Sequence, residues 1–329
     1  MTILVTGAAG LVGTHVLEAL RARGERPRAL VREHARAVAE SFGADPVIGD
    51  VTDAVAWDRA ARGVSTIVHA AALVVTRDSF EQFTRVNVGA TRLAIGAARR
   101  NRARLIHLSS VAVYGRTAVY AAGADGVGED YPFQPLREAD FYARTKRAAE
   151  LLLQQEAARG DLAAIAIRPN VIYGERDRLF TGRLIAHLKL GVLPQLGPGT
   201  NHLSCVYAGN VASAIVAAID AAPRPGFRAY HVTRDASPLL TQREFFTTFG
   251  EALGRRPRFI RVPLGPVRLG IAVWSAARRL IAPRRYAGLG TAALAFVLGD
   301  NPYSTQRITR ELGWTPPFDT RAAIFRSVR

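Results

Sequence analysis

Short apolar runs alternate with helix-length stretches through the first half of the chain, and that rhythm leaves few folds open. Ile3 to Thr6, Arg28 to Val31, Pro46 to Ile48, Thr66 to His69, Arg104 to Leu108 and Ala163 to Ile167 read as strands. Leu11 to Arg23, Phe80 to Arg99 and Tyr142 to Arg159 carry helical periodicity between them. Strands joined by helices of this length pair in parallel through right-handed crossovers, so the expected class is α/β, a doubly wound parallel sheet. After Ile167 the rhythm loosens. Pro and Gly punctuate 191–199 and 221–226, and helices are expected at Val211 to Ile219, Gln242 to Leu253, Val267 to Leu280 and Thr305 to Leu312. With 329 residues, 49% of them apolar, the chain exceeds one small domain. The expected division is a sheet domain over 1–170 and a smaller, mixed α/β lobe over 171–329, with 203–232 partly returning to the sheet.

The first strand runs straight into Gly7-Ala8-Ala9-Gly10-Leu11-Val12-Gly13, which opens a helix. Gly7 permits the tight turn, Gly10 lets the backbone approach a pyrophosphate, and Gly13 packs helix against strand. Main-chain N–H groups at the helix start, those of Leu11 and Val12 among them, would then hold phosphate oxygens. An ordinary Gly-rich turn is the alternative, but this one sits between strand and helix, where dinucleotide binding in a Rossmann sheet requires it. Cofactor choice is read at the end of the second strand, where an acid binds the ribose 2′-OH and an arginine accepts a 2′-phosphate. Arg32 stands there and Arg36 lies one turn on, which favours NADP(H); Glu33, one residue from Arg32, keeps NAD(H) open.

Tyr142 and Lys146 are spaced to share one helix face. With 9 Tyr and 2 Lys in 329 residues, chance supplies 9 × 2/329, about 0.05, such Tyr-x-x-x-Lys spacings. A free phenol with a pKa near ~10 is a poor base at neutral pH, and a neighbouring ammonium is expected to favour the phenolate. The stretch Leu108-Ser109-Ser110-Val111-Ala112-Val113-Tyr114-Gly115 offers two hydroxyls to orient a substrate oxygen at the carboxyl edge of the fifth strand.

The glycine spacing, the Tyr142/Lys146 pair and the serine segment together resemble an extended short-chain dehydrogenase/reductase, from Thr2 to about Pro317. The resemblance selects Ser110 as the catalytic serine beside Tyr142 as general acid/base and Lys146 as its partner. It places Asp50 on the adenine amine with Val51 beside it, a helix N-cap being Asp50's alternative. It also implies Ala70, Ala71, Asn87 and Pro169 near the cofactor; for Asn87 a packing amide is the alternative. Tyr114, Val171 and Tyr173 are expected beside the substrate, although either tyrosine could be core.

Within that family, Val111 and Ala112 replace the acids that dehydratases resemble one another in carrying. Sugar-nucleotide enzymes resemble one another in Arg-x-x-Asn-x-x-Gly and in a later Arg-Asp pair. Here Val171 holds the first place, with the amide displaced to Asn170, and Leu203 and Ser204 hold the second. Arg168 to Glu175 and Tyr207 to Ala212 are similar to the 3β-hydroxysteroid dehydrogenase-like branch. The resemblance implies a secondary alcohol or ketone on a lipophilic substrate such as a steroid, sterol, terpenoid or β-keto lipid; a sugar-nucleotide epimerase is the alternative. It also suggests a homodimer.

Composition narrows the partners. Lys and Arg total 44 against 27 acids, a net +17, but lysine occurs only at Lys146 and Lys189 and the arginines are spread without a dense block. Solvated faces account for most of that excess, and no nucleic-acid motif accompanies it. A lone Cys205 closes no disulfide and builds no thiolate metal site, which fits a reducing cytoplasm. His69, His107 and His202 look too scattered to hold a metal. No secretory signal is expected, and the longest uncharged apolar stretch, Tyr286 to Gly299, is 14 residues, whereas crossing a bilayer takes roughly 20. Leu264, Val267, Ile271 and Trp274 form an apolar stripe with arginines beyond it, compatible with packing inward or with peripheral membrane contact.

Overall fold

The computed structural model describes residues 2–74, 78–115, 126–281 and 296–328, with the backbone alone over 275–281. Seven parallel strands form the central sheet in the order β10-β6-β5-β4-β1-β2-β3. They are β1 (Ile3–Thr6), β2 (Arg28–Val31), β3 (Asp45–Ile48), β4 (Thr66–His69), β5 (Arg104–Leu108), β6 (Ala163–Pro169) and β10 (Gly226–Val232). The central strands are buried on both faces, which is why they read as unbroken apolar runs. On one face α1 (Leu11–Ala22) and α8 (Ala208–Asp220) close a cluster of Val5, Val16, Leu20, Val211 and Ile215. On the other, α3 (Ala54–Ala60), α5 (Ala90–Asn101) and α6 (Phe141–Ala157) cover Leu4, Trp57, Ile67, Leu105 and Leu153.

The expected helix from Phe80 to Arg99 is interrupted. After α4 (Phe80–Phe83) the backbone widens into a π-helical segment, Thr84–Gly89, before α5 begins. Such bulges shift a side chain out of register and often mark functional sites; this one carries Asn87. Beyond β6 the chain adds two small parallel sheets that the sequence rhythm hides. They are β7 (Val171–Tyr173) with β9 (Cys205–Tyr207), and β8 (Val192–Leu196) with β11 (Arg258–Val262). Helices α9 (Gln242–Ala252), α10 (Leu264–Ile281), α11 (Gln306–Leu312) and α12 (Thr320–Ser327) complete the C-terminal region.

Candidate active site

The glycine loop is built by close backbone approach. Gly7 has φ +68°, and a Cβ there would stand 2.6 Å from the Ala71 amide nitrogen. A Cβ on Gly13 would stand 2.1 Å from the Gly7 carbonyl oxygen, so the third glycine is fixed by contact with the first. Gly10 sits at the N-cap of α1 and offers no side chain to its first N–H groups, those of Leu11 and Val12 among them. A helix start of this kind fits an anionic diphosphate. Ala70 and Ala71 follow β4 against Gly7, and their amides bond to Thr6 at 3.2 and 3.4 Å.

At the end of the next strand, β2, Arg32 is exposed with no ion pair among the described residues. Glu33 and Arg36 instead pair with each other at 3.0 Å, both side chains exposed. Asp50 accepts from the Thr52 amide (2.8 Å) and hydroxyl (2.7 Å), while the cap of α3 comes from Asp53. Burial pushes the Asp50 carboxyl up, but the Thr52 bonds and the guanidinium groups of Arg32 and Arg85 bring it below its ordinary value. Arg85, on the π-helical segment, is a second cation beside this carboxylate that no local sequence signal announces. Val51 accepts from the Trp57 indole at 2.8 Å and packs against that ring's cluster.

The carboxyl ends of β4, β5 and β6 gather the remaining polar side chains. The two serines differ in what they do. Ser109 donates its hydroxyl to the Glu150 carboxylate, a buried carboxylate that also receives the Arg168 guanidinium, Nε standing 3.1 Å from each oxygen. Ser110, capping the turn Val111–Tyr114, accepts from the Ala112 amide at 3.1 Å and lies within reach of the Tyr142 phenol. Lys146 is buried and donates to the Leu108 carbonyl at 2.6 Å. Asn87 grips the Leu73 backbone at 2.8 and 3.0 Å and donates to the Thr145 hydroxyl at 3.0 Å, one residue from Lys146. It ties the loop after β4 to α6.

Burial pushes the Tyr142 phenol above its ordinary value, and the Ser110 hydroxyl draws it partly back. Burial also lowers Lys146 itself to about 8, against the pull of Glu150. Its ammonium donates to a strand carbonyl, and Glu150 is the carboxylate whose charge acts on it.

Tyr114 and Tyr173 are buried in the core. The Tyr114 hydroxyl is shared by Arg168, the Glu129 carbonyl (3.0 Å) and His231 (2.8 Å), and Tyr173 donates to Asp235 at 2.5 Å inside a Phe245/Phe249 cluster. Val171 is half-buried against that same cluster, and Pro169 ends β6 beside Val232. Asn170 turns inward, donating to Ser204 (3.0 Å) and the Thr233 carbonyl (2.7 Å). His69 and His107 are not scattered: strand register sets them side by side with ring centroids 5.6 Å apart. Burial and the Lys146 charge hold His69 down at about 3 and lower His107 likewise.

Comparison with known proteins accords with this architecture. Residues 3–232 match the model of the NAD dependent epimerase/dehydratase family. The chain belongs to that family. Family relatives include a 4-hydroxy-2-methyl-3-oxo-4-farnesyl-3,4-dihydroquinoline-1-oxide ketoreductase of Stigmatella aurantiaca, 31% identical, covering 95% of this chain and 92% of that one. A 3 beta-hydroxysteroid dehydrogenase/Delta 5-->4-isomerase of Mycobacterium tuberculosis is 30% identical over 98% of this chain and 88% of its own. Among solved structures, gox2253 superposes with a TM-score of 0.76 at 24% identity, covering 99% of this chain and 96% of that one. MoeE5 in complex with UDP-glucuronic acid and NAD superposes at 0.71, also 24% identical, covering 100% and 98%. The family member described here is an NAD(P)-dependent oxidoreductase of the extended short-chain type.

Proposed function

We propose that this enzyme interconverts a ketone and a secondary alcohol on a lipophilic substrate, with NADP(H) preferred. The observation that carries the reading is the split between neighbouring serines: Ser109 is locked on Glu150, and Ser110 is left facing Tyr142. When bound, the cofactor supplies or accepts the hydride. In the reductive direction Tyr142, kept protonated by burial, gives its proton to the carbonyl oxygen, and Ser110 holds that oxygen by a hydrogen bond. Lys146, a cation below about pH 8, serves the cofactor ribose, and Asn87 positions its helix through Thr145.

Arg32, with Arg85 near the Asp50 carboxylate, supports a 2′-phosphate over a free hydroxyl, because Glu33 pairs with Arg36 and Asp50 is held by Thr52. Lipophilic chemistry is supported by the relatives' names, among them a ceramide reductase of Caulobacter vibrioides, 31% identical over 79% of this chain. It is supported too by Asn170, whose amide bonds Ser204 and the backbone rather than facing a sugar diphosphate. The residue ranges 1–170 and 171–329 are proposed as cofactor and substrate lobes, with a homodimer in a cytoplasmic setting as the working assembly.

Absorbance of NADPH against a panel of ketosteroids, keto lipids and UDP-sugars tests this. Stoichiometric NADPH loss with a lipophilic ketone is expected. Inversion of a UDP-sugar without net cofactor consumption would instead establish the epimerase reading that the UDP-sugar-bound neighbours keep open.

A further inference from the structure

Arginine is spread along this chain, but acid is not. Between Glu251 and Asp300 the sequence holds nine arginines and no carboxylate, more than half of the chain's net +17. The described part of this stretch, and β8 that pairs with it, also hold large apolar side chains that stand in solvent. In β8, Val192 and Pro194 are exposed while Leu193 and Gln195 turn inward, and Leu190 just before it is 77% exposed. In β11, Phe259 joins the cluster that holds Val171, whereas Arg258, Ile260 and Arg261 remain outside. Register pairs Val192 with Arg258 and Pro194 with Ile260, so one arginine shares an outward face with aliphatic groups.

The helix that follows repeats the arrangement. Leu264, Val267 and Ile271 of α10 are half-buried along one stripe; Leu269 (65% exposed) and Val273 (60%) lie on the opposite side, with Arg268 exposed on the same helix. A helix apolar on two sides is ordinarily enclosed. No described helix is long and apolar enough to cross a membrane.

We propose that the outside of the β8–β11 ribbon and the outer stripe of α10 dock on an anionic lipid bilayer. The arginines meet headgroup phosphates, and Leu190, Ile260, Leu269 and Val273 enter the interface. A second copy of the chain is disfavoured as occupant, because an isologous contact would set this acid-free surface against itself. Nucleic acid would engage the cations but gain nothing from exposed aliphatic groups. The docking goes beyond the catalytic reading and is tested without turnover.

The full chain is floated with vesicles of phosphatidylcholine alone and with about a third phosphatidylglycerol. It should rise with the anionic vesicles and be released by salt. Trp57 and Trp314 are buried, so a blue shift of indole emission on binding reports Trp274. Leu269→Glu with Val273→Glu should weaken flotation by about tenfold or more while thermal unfolding stays unchanged; Ile260→Glu on the separate ribbon should weaken it too. The proposal is overturned by absence of flotation at low salt, by equal binding to neutral vesicles, by full binding of these variants, or by RNA that displaces vesicles from wild type and variants alike.

Discussion

The carboxyl edge of the central sheet and the stretch from 252 to 299 handle charge in opposite ways. At the edge Lys146, Glu150 and Arg168 are buried, and each meets a named partner: a strand carbonyl, two serine and arginine donors, a carboxylate and a phenol. In the later stretch exposed arginines stand among exposed aliphatic groups with no acid to answer them. Burial with exact pairing fixes protonation states and positions, which is what proton transfer needs. Surface charge without counter-charge fixes nothing inside the molecule and acts on what approaches it. The first region carries the proposed chemistry, and the second the proposed docking.

The comparison is broken most sharply at the phenol. Tyr142→Phe should lower kcat by roughly a thousandfold, as loss of a general acid does, with an unchanged unfolding temperature; wild-type turnover would remove the edge's claim to the chemistry. The serines come next. Ser110→Ala should cost about a hundredfold in kcat for a lost oxyanion donor, whereas Ser109→Ala should cost about 1–3 kcal/mol of stability by stripping the buried Glu150 of a donor. The reverse pattern would reassign the roles.

A smaller effect is expected at the cofactor's far end. Arg32→Ser should raise KM for NADPH by about tenfold or more and leave KM for NADH nearly unchanged; equal losses for both would cancel the 2′-phosphate reading. Acid stability sharpens the contrast further. His69 and His231 are held near 3 by burial, so the folded state stays neutral there while the unfolded state takes protons at its ordinary 6.5. Stability present above pH 6.5 is therefore lost as pH falls toward 3, at roughly 1.4 kcal/mol per unit for each histidine. Urea midpoints from pH 7 to 4 would show the decline, and a flat series would contradict it.

Much of the sheet was legible because parallel strands buried on both faces must be continuous apolar runs, and β1, β2, β4 and β5 begin and end where that pattern does. The glycine loop was legible for a steric reason, since a Cβ at Gly7 or Gly13 has nowhere to go. What failed was non-local. The π-helical break leaves no local mark between Phe80 and Asn101, and neither does the pairing of β8 with β11 across more than sixty residues. Tyr142 and Lys146 have helical spacing, yet spacing does not say that a strand carbonyl will claim the ammonium. Chain separation hid the His69–His107 neighbourhood, which strand register creates.

Hydride transfer itself is the most direct measurement. Incubation of the enzyme with C4-deuterated NADPH and a lipophilic ketone, followed by mass spectrometry of the alcohol, should find one deuterium on the carbinol carbon per cofactor oxidised, with Tyr142→Phe nearly silent. An alcohol free of deuterium, or full transfer by the Tyr142→Phe variant, would contradict the account.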